Sequence, residues 1–199
     1  MSNCGKSHWS LQLGRNRDFH IVSVDEEIER AIKPELTALG HSGIEGLAEW
    51  MGFPSDNRFE ANQARYLGYE ESITSAASPV TGRNTVLDTT GSVIYLSEAT
   101  LDRIRNDYLI VHLEASDDML EVMTNSYFET PKPVVWGDAY RPVGGETPNE
   151  SLRRCYPNLL RERRKKYASI SDVTIPASVS LSRDLGLDKF LELVKSKIA

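Results

Sequence analysis

The first residues with a recognisable chemical pattern are Cys4-Gly5-Lys6-Ser7, which match the end of the phosphate-binding loop G-x-x-x-x-G-K-[ST]. In such a loop, backbone N–H groups surround phosphate oxygens, the lysine reaches the β- and γ-phosphates, and the hydroxyl group binds Mg²⁺. The predicted phosphate-binding residues are Cys4, Gly5, Lys6, Ser7 and His8, with Ser7 also predicted as a metal ligand. A Gly-Lys-Ser tripeptide also occurs by chance, and the first glycine of the loop would fall one position before Met1.

Two aspartates follow short apolar runs that are typical of buried strands. Asp25 comes directly after Ile-Val-Ser-Val at 21–24, and Asp88 follows Asn-Thr-Val-Leu at 84–87. In an open parallel α/β sheet, the carboxyl ends of the strands border the ligand crevice, so both carboxylates are candidates for that crevice. A carboxylate there can hold Mg²⁺ or accept a proton from an attacking hydroxyl group. Alternatively, each aspartate only caps the helix that follows it.

Cationic side chains that could bind phosphate or carboxylate groups occur at three further places. They are Arg65, Lys132 and the basic run at 161–166. Phosphoryl transfer concentrates negative charge, which guanidinium and ammonium groups stabilise. Most of the basic run fits a solvated helix face, so only a minority of its side chains is expected to point into a site. Lys132 lies in a Pro- and Gly-rich stretch, 129–150, which we expect to be a mobile lid over bound nucleotide.

The composition limits the classes of function. The 199-residue chain carries 23 basic and 29 acidic residues and a net charge of −6, which argues against general binding to nucleic acids or anionic membranes. No apolar run approaches the roughly 20 residues needed to cross a bilayer, and no signal peptide is recognisable. With only two cysteines, a disulfide framework is not expected, and the cytoplasm is the default compartment. The length fits a single domain over residues 1–199, and we expect a monomer.

Short apolar strands and longer amphipathic helices alternate along the chain. Strands are predicted at 19–24, 84–87, 108–113 and 172–175. Helices are predicted at 8–13 (closed by Gly14), 26–39, 97–105, 117–128, 151–170 and 187–198, with helical patches between 40 and 76. This alternation predicts an α/β domain with a mostly parallel sheet. A phosphate-binding loop normally follows a buried strand, and no strand pattern precedes Cys4, so we expect the first strand of the sheet to be absent.

In their order along the chain, these features make it resemble the shikimate kinase family. The strongest local match is Arg-Arg-Lys-Lys-Tyr-Ala-Ser-Ile-Ser-Asp-Val-Thr-Ile at 163–175. The resemblance implies a three-layer α/β P-loop kinase fold with a parallel sheet and a lid at about residues 127–157. It also implies transfer of the γ-phosphate of ATP, with Mg²⁺, to a hydroxyl group of shikimate, a step of aromatic amino acid biosynthesis.

The resemblance also assigns roles to individual residues. Asp25 matches an aspartate that contacts the shikimate hydroxyls and is a candidate base. Arg163 and, with less regular spacing, Arg65 match the arginines that bind the shikimate carboxylate. Lys132, in Lys-Pro-Val, matches a lid arginine that reaches the ATP phosphates, and Lys6 would stabilise the transferring phosphoryl group.

Two departures from the family concern metal and acceptor binding. Ser23 stands where the family has its Mg²⁺-binding aspartate, and we suggest that Asp88 takes over that role. The triple glycine of the shikimate-binding loop is replaced by Thr90-Gly91-Ser92, of which Thr90 and Gly91 are the predicted acceptor-binding residues. This replacement changes the floor of the acceptor pocket.

Three alternatives remain open at this point. The protein could phosphorylate another small acceptor, such as a sugar acid. It could be a non-catalytic relative that binds nucleotide or a partner protein. It could also be an incomplete fragment in which Met1 is an internal methionine of a longer kinase, because a glycine directly before Met1 would complete the loop as Gly-Met-Ser-Asn-Cys-Gly-Lys-Ser.

Overall fold

The computed structural model describes residues 4–197, in which helices and strands alternate. The helices are α1 (Lys6–Arg17), α2 (Val24–Ala38), α3 (Gly43–Met51), α4 (Phe59–Ala76), α5 (Glu98–Asp107), α6 (Asp117–Glu129), α7 (Pro148–Ile170), α8 (Ala177–Ser180) and α9 (Leu187–Ser196). The strands are β1 (His20–Ser23), β2 (Thr85–Asp88), β3 (Val111–Glu114) and β4 (Val173–Pro176). In this part of the chain, no helix is both long and apolar enough to cross a membrane.

The strands of the described residues form two separate parallel sheets. β1 pairs with β2 in a register that places Ser23 beside Asp88, and β3 pairs with β4 in a register that places Val111 beside Val173. Helices α1 and α2 pack against the first sheet, while α7 and α8 pack against the second. The predicted α/β class with parallel strands and covering helices is confirmed, but the strands do not make one continuous sheet.

The first sheet positions the predicted acids. Parallel strands end at the same edge of a sheet, so Asp88 at the end of β2 lies beside the end of β1 and the start of α2. The first turn of α1 reaches the same edge, because Lys6 pairs with Asp88 across 82 residues of sequence. Residues distant in sequence are thereby gathered around one sheet edge.

Gly14 does not end α1, contrary to the prediction. The helix continues to Arg17, where Asp18 adopts a left-handed conformation with φ 53°. A Cβ atom at Gly14 would lie 2.9 Å from Cγ1 of Ile21 on β1. The glycine therefore permits close packing between the helix and the strand, a role that the local sequence does not reveal.

The later helices also differ from their predicted bounds. α7 begins at Pro148 rather than Ser151, because Thr147 and Glu150 form a capping box: Thr147 Oγ1 accepts from Glu150 N at 3.3 Å, and Glu150 Oε2 accepts from Thr147 N at 2.7 Å. α9 ends at Ser196; the predicted last residue of that helix, Ile198, lies outside the described residues.

The Pro- and Gly-rich stretch 129–150 is only partly an excursion. Val134, Val135 and Trp136 are buried, and Trp136 retains 1% of its accessible surface. The Trp136 backbone N–H donates to Gln63 Oε1 at 2.6 Å, and its ring lies 5.5 Å from that of Tyr156. The backbone of residues 131–136 is neither helix nor strand, but the buried apolar side chains of the Val-Val-Trp run anchor this loop in the core.

Candidate active site

A cleft of about 420 Å³ opens at the edge where β1 and β2 end and α1 begins. The charged and polar residues on its wall include Lys6, Ser7, His8, Asp25, Lys132 and Arg163. They come from α1, α2, α7 and the segment before α7. Tyr66 of α4 and the Gly91-Ser92 turn after β2 complete the polar lining.

The start of α1 has the backbone geometry of an anion site. Gly5 has a left-handed φ of 89°, which strongly favours glycine, and a Cβ atom there would lie 3.2 Å from Cδ2 of Leu181. Its carbonyl oxygen accepts from Trp9 N at 3.0 Å and closes the first helical turn. The first N–H groups of a helix have no intrahelical acceptor and carry partial positive charge, so this end of α1 favours an anion.

Lys6 lies between two carboxylates. Its ammonium group forms a close ion pair with Asp88, and it lies 4.0 Å from Oδ2 of Asp25. Asp88 retains only 5% of its side-chain surface, whereas Lys6 retains 30% on the cleft side. Ser23, which pairs with Asp88 in the sheet, uses its hydroxyl to accept from Glu26 N at the start of α2. Of the two residues that end this strand pair, Ser23 and Asp88, only Asp88 carries a carboxylate.

Asp25 faces the cleft in a partly enclosed position. Burial raises the pKa of Asp25, and the Asp88 carboxylate adds to the rise, whereas the Lys6 and Lys132 ammonium groups and a hydrogen bond from Tyr66 lower it. Tyr66 Oη donates to Asp25 Oδ1 at 3.4 Å, and 43% of the Asp25 side chain remains open. The carboxylate is thus accessible and more basic than an ordinary aspartate.

Arg163 of α7 presents a buried cation to the cleft. It retains 6% of its surface, donates from Nη2 to the Val135 carbonyl oxygen, and lies 5.6 Å from the centre of the Tyr95 ring. Its Nε atom has no hydrogen-bond partner, and no carboxylate among residues 4–197 forms an ion pair with it. A buried charge without an ionic partner is costly, so this position favours an anionic ligand.

A buried glutamate organises the turn beside Arg163. Glu70 of α4 has no accessible surface, and its two carboxylate oxygens accept from the hydroxyl groups of Thr90 and Ser92. Burial raises the pKa of Glu70 to about 7, although both hydrogen bonds act in the opposite direction. The two hydroxyl groups hold the turn around Gly91, where a Cβ atom would lie 3.2 Å from Arg163 Nη1.

Several predicted site residues therefore meet at the cleft. Those on its wall are Gly5, Lys6, Ser7, His8, Asp25, Gly91, Lys132 and Arg163. Asp88 joins them through its ion pair with Lys6. The structure thus brings predicted site residues from distant parts of the chain to one cleft.

Besides Asp88, three predicted site residues do not line the cleft. Arg65 lies on another face of α4, where its guanidinium group forms a two-pronged ion pair with Glu35, at 2.9 and 2.5 Å. Cys4 is buried, and its carbonyl oxygen accepts from Ser180 Oγ at 3.2 Å. Thr90 is 3% exposed and directs its hydroxyl to Glu70 instead of the cleft. The side chains of Arg65 and Thr90 therefore lie away from the cleft, whereas the prediction for Cys4 concerns its backbone N–H group.

Residues that the sequence analysis did not select also contribute. Tyr66, Glu70 and Thr74 are buried at four-residue intervals along α4, so they share one helix face. That spacing is the signal in the sequence, but the helix also contains half-buried aliphatic residues on other faces, Leu67 and Ile73 among them. Without the tertiary packing, the polar face could not be recognised as the buried one.

Comparison with known structures supports the fold. The structure of shikimate kinase from Acinetobacter baumannii in complex with shikimate is similar, with a TM-score of 0.57 and 18% sequence identity. The alignment covers 97% of this chain and 88% of the shikimate kinase. No protein-family model and no curated protein matches the sequence. At this identity the likeness establishes the fold, and the predicted shikimate-kinase-like P-loop fold is confirmed.

Proposed function

We propose that this protein is an ATP-dependent small-molecule kinase that transfers the γ-phosphoryl group to a hydroxyl group of a small carboxylic acid, with shikimate as the leading acceptor. The carrying observation is that one cleft combines two kinds of anion site. Gly5, Lys6, Ser7 and Asp88 form its phosphate side, and Gly91, Arg163 and the Glu70 hydrogen-bond cluster form its acceptor side. The fold shared with a shikimate kinase that binds shikimate supports the same assignment.

The donor groups on the phosphate side suit Mg²⁺. This ion is usually held by one or two carboxylates together with substrate phosphates and water, rather than by an all-protein cage. Within residues 4–197, no group of three or more His, Cys, Asp or Glu side chains is placed to hold a metal ion. Ser7 and Asp88 would be the protein ligands, and the bound ion would neutralise charge on the β- and γ-phosphates.

Nucleotide binding would exchange the partners of Lys6 and Asp88. In the structure these two side chains neutralise each other. With ATP bound, the Lys6 ammonium group would turn to the phosphates, and the Asp88 carboxylate would become available to Mg²⁺. Lys132, on the wall of the same cleft, would add positive charge to the bound nucleotide, and the segment within residues 127–157 would act as its lid.

Asp25 would serve the acceptor hydroxyl group. The hydroxyl oxygen attacks the γ-phosphorus and forms a new P–O bond, while the bond between the γ-phosphorus and the oxygen of the ADP leaving group breaks. Asp25 accepts the hydroxyl proton, and its raised pKa makes it a better acceptor than an exposed aspartate. Lys6 and the first backbone N–H groups of α1 stabilise the charge on the transferring group.

Arg163 would bind the carboxylate of the acceptor. Its guanidinium group can donate two parallel hydrogen bonds to a carboxylate, and it has no ionic partner among the described residues. A second candidate acceptor, a sugar acid, is favoured by the Gly91-Ser92 turn, because Ser92 lines the cleft where a glycine would leave more space. Both candidates are hydroxy acids and use the same charged groups.

An acceptor panel with MgATP tests this proposal. ADP release and phosphorylated product are measured with shikimate, with a shikimate analogue that lacks the carboxylate, and with a sugar acid such as gluconate. We expect product from a hydroxy acid, at least a 10-fold loss of kcat/KM for the analogue, and product formation by Lys6→Ala that is about 100-fold slower or more. Turnover of the sugar acid alone would replace shikimate as the acceptor. ATP binding without turnover of any acceptor would support the non-catalytic alternative and overturn the proposed activity.

A further inference from the structure

Tyr66 of α4 connects the acceptor side of the cleft to Asp25. It retains 2% of its surface but lines the cleft, and its Oη donates to Asp25 Oδ1 at 3.4 Å. Tyr66 lies one helical turn before Glu70 on the buried face of α4, and α4 packs against α2, which carries Asp25. The packing of these two helices therefore fixes where the hydroxyl group meets the carboxylate.

The carboxylate of Asp25 has an alternative orientation, away from the cleft. Asp25 is the second residue of α2, directly after Val24. The first N–H groups of a helix lack intrahelical acceptors and attract carboxylates, so the side chain could turn back toward its own helix. Because 43% of the side chain is open, burial alone does not hold it in the cleft. The hydrogen bond from Tyr66 favours the orientation that faces the cleft.

The two carboxylate oxygens of Asp25 have different neighbours. Oδ1 accepts from Tyr66, whereas Oδ2 lies 4.0 Å from Lys6 Nζ. Under the proposed function, Lys6 turns to the phosphates when ATP binds, while Tyr66, an uncharged group on the acceptor side, keeps its hydrogen bond. Oδ1 then stays fixed, and Oδ2 is left for the proton of the acceptor hydroxyl group.

The hydroxyl group of Tyr66 remains a donor at neutral pH. Burial raises the pKa of Tyr66 well above its usual range, and the Asp25 and Glu70 carboxylates add to the rise, whereas Arg163 lowers it. In return, the hydrogen bond from Tyr66 lowers the pKa of Asp25. A donor that weakens the base assists proton transfer through geometry, which in general base catalysis comes before pKa.

We propose that Tyr66 is a positioning residue, whose hydroxyl group holds Oδ1 of Asp25 so that Oδ2 faces the acceptor hydroxyl group. This role rests on the proposed function, because Asp25 must act as the proton acceptor. A carboxylate held in one orientation is aligned with the reacting hydroxyl group for more of the time. The gain appears in kcat rather than in either KM, since Tyr66 acts through Asp25 and not on a substrate.

The test compares the native protein with Tyr66→Phe, which keeps the ring and removes the hydroxyl group, using the acceptor that the native protein turns over. Tyr69→Phe is the matched control, because it makes the same change on the same helix, where Tyr69 interacts with Arg65 away from the cleft. We expect Tyr66→Phe to lower kcat about 10-fold and to leave the KM values for ATP and acceptor within about twofold. Tyr69→Phe should leave all three values within about twofold. Thermal melts check folding, which should persist because Asp25 remains open to water.

A second pair of proteins shows whether Tyr66 acts through Asp25. Asp25→Asn alone is compared with Asp25→Asn combined with Tyr66→Phe, in single-turnover measurements suited to slow reactions. Once the base is gone, loss of the Tyr66 hydroxyl group should change the rate less than about twofold. A role in folding or packing would give the same loss in both backgrounds.

Three outcomes would overturn this role of Tyr66 and leave the proposed function intact. The first is an unchanged kcat in Tyr66→Phe. The second is a higher acceptor KM at constant kcat, which would make Tyr66 a ligand of the acceptor. The third is an equal loss of rate in both backgrounds, which would make its role structural. A native protein that turns over no acceptor would overturn the proposed function and, with it, the role of Tyr66.

Discussion

The phosphate side and the acceptor side of the cleft are built in different ways. On the phosphate side, Gly5, Lys6 and Ser7 are consecutive residues at the start of one helix, and Asp88 ends the adjacent strand. The acceptor side combines Glu70 of α4 with the turn after β2 and with Arg163 of α7. The first depends on a short local motif beside a sheet edge, and the second depends on the packing of distant helices.

This difference has an electrostatic counterpart. The charges on the phosphate side are paired with each other, as Lys6 lies against Asp88 and near Asp25. On the acceptor side, Arg163 has no ionic partner among the described residues, and Glu70 has a raised pKa. Under the proposed function, the phosphate side would exchange its internal ion pairs for the ligand, whereas Arg163 would gain an ion pair when the acceptor binds. We therefore expect substitutions on the phosphate side to lower kcat and substitutions of Arg163 to raise the acceptor KM.

The largest effect is expected from Lys6→Ala. The substitution removes the ammonium group from the transferring phosphoryl, so kcat should fall about 100- to 1000-fold while the acceptor KM stays nearly constant. A coupled assay of ADP release measures both parameters. Arg17→Ala is the matched control, because Arg17 lies on the same helix and also pairs with an aspartate, Asp188.

Arg17→Ala should change kcat less than about twofold, since its ion pair is exposed and neither Arg17 nor Asp188 lines the cleft. A thermal melt of Lys6→Ala separates loss of catalysis from loss of folding, because Asp88 is left buried without its partner. If a folded Lys6→Ala protein kept its kcat, the proposed role of Lys6 in phosphoryl transfer would be wrong.

The phosphate side was largely predictable from the sequence. The Gly-Lys-Ser motif identifies its residues directly in the sequence. Because ligands bind at the carboxyl ends of parallel strands, Asp25 and Asp88 are expected beside the motif. The acceptor side was less predictable because adjacent helical residues differ by about 100° in direction. Arg65 and Tyr66 are neighbours on α4, yet Arg65 pairs with Glu35 and Tyr66 contacts Asp25. The local sequence does not indicate which of these two side chains points to the cleft.

For the fold as well, local elements were predictable from the sequence, whereas features that depend on long-range contacts were not. The strands and most helices follow from apolar periodicity, since each pattern is completed within a few residues. The separation into two sheets depends on contacts between residues far apart in sequence, as does the burial of Trp136 within a Pro- and Gly-rich stretch. The buried role of Glu70 was invisible for the same reason, because an isolated glutamate normally indicates a solvated helix face.

An intermediate effect is expected from Glu70→Gln, and it tests the acceptor side through stability. Burial raises the pKa of Glu70 from 4.5 to about 7 in the folded protein. A raised pKa favours folding fully below the unfolded value and loses that contribution as the pH rises through the folded value. The variant should therefore unfold with nearly native free energy at about pH 4.5 and gain up to about 3 kcal/mol over the native protein at about pH 8.

Urea unfolding across this pH range measures the difference, and Glu71→Gln is the control with the opposite sign. For Glu71, burial would raise the pKa, but hydrogen bonds from Ser97 and Thr100 outweigh it and lower the pKa. A lowered pKa gives stability at neutral pH that disappears as the pH falls, so Glu71→Gln should destabilise the protein most at neutral pH. A pH-independent Glu70→Gln difference would show that Glu70 does not titrate in this range.

The smallest effect, and the sharpest contrast, is expected from exchanging arginine for lysine at two positions. Arg163→Lys keeps the positive charge but removes the planar fork, so the acceptor KM should rise about 10-fold while the ATP KM changes little. Arg65→Lys makes the same chemical change outside the cleft, where the guanidinium group pairs with Glu35. It should leave both KM values within about twofold and change stability by less than about 1 kcal/mol.

The pair of variants decides which arginine recognises the acceptor. Equal increases of the acceptor KM would mean that Arg65 leaves Glu35 and joins Arg163 when substrate binds. An increase for Arg65→Lys alone would assign the carboxylate to Arg65 and make the unpaired charge of Arg163 a feature of the fold. An increase for Arg163→Lys alone follows from the geometry, because Arg163 lies on the cleft wall without an ionic partner among the described residues, whereas Arg65 already has one.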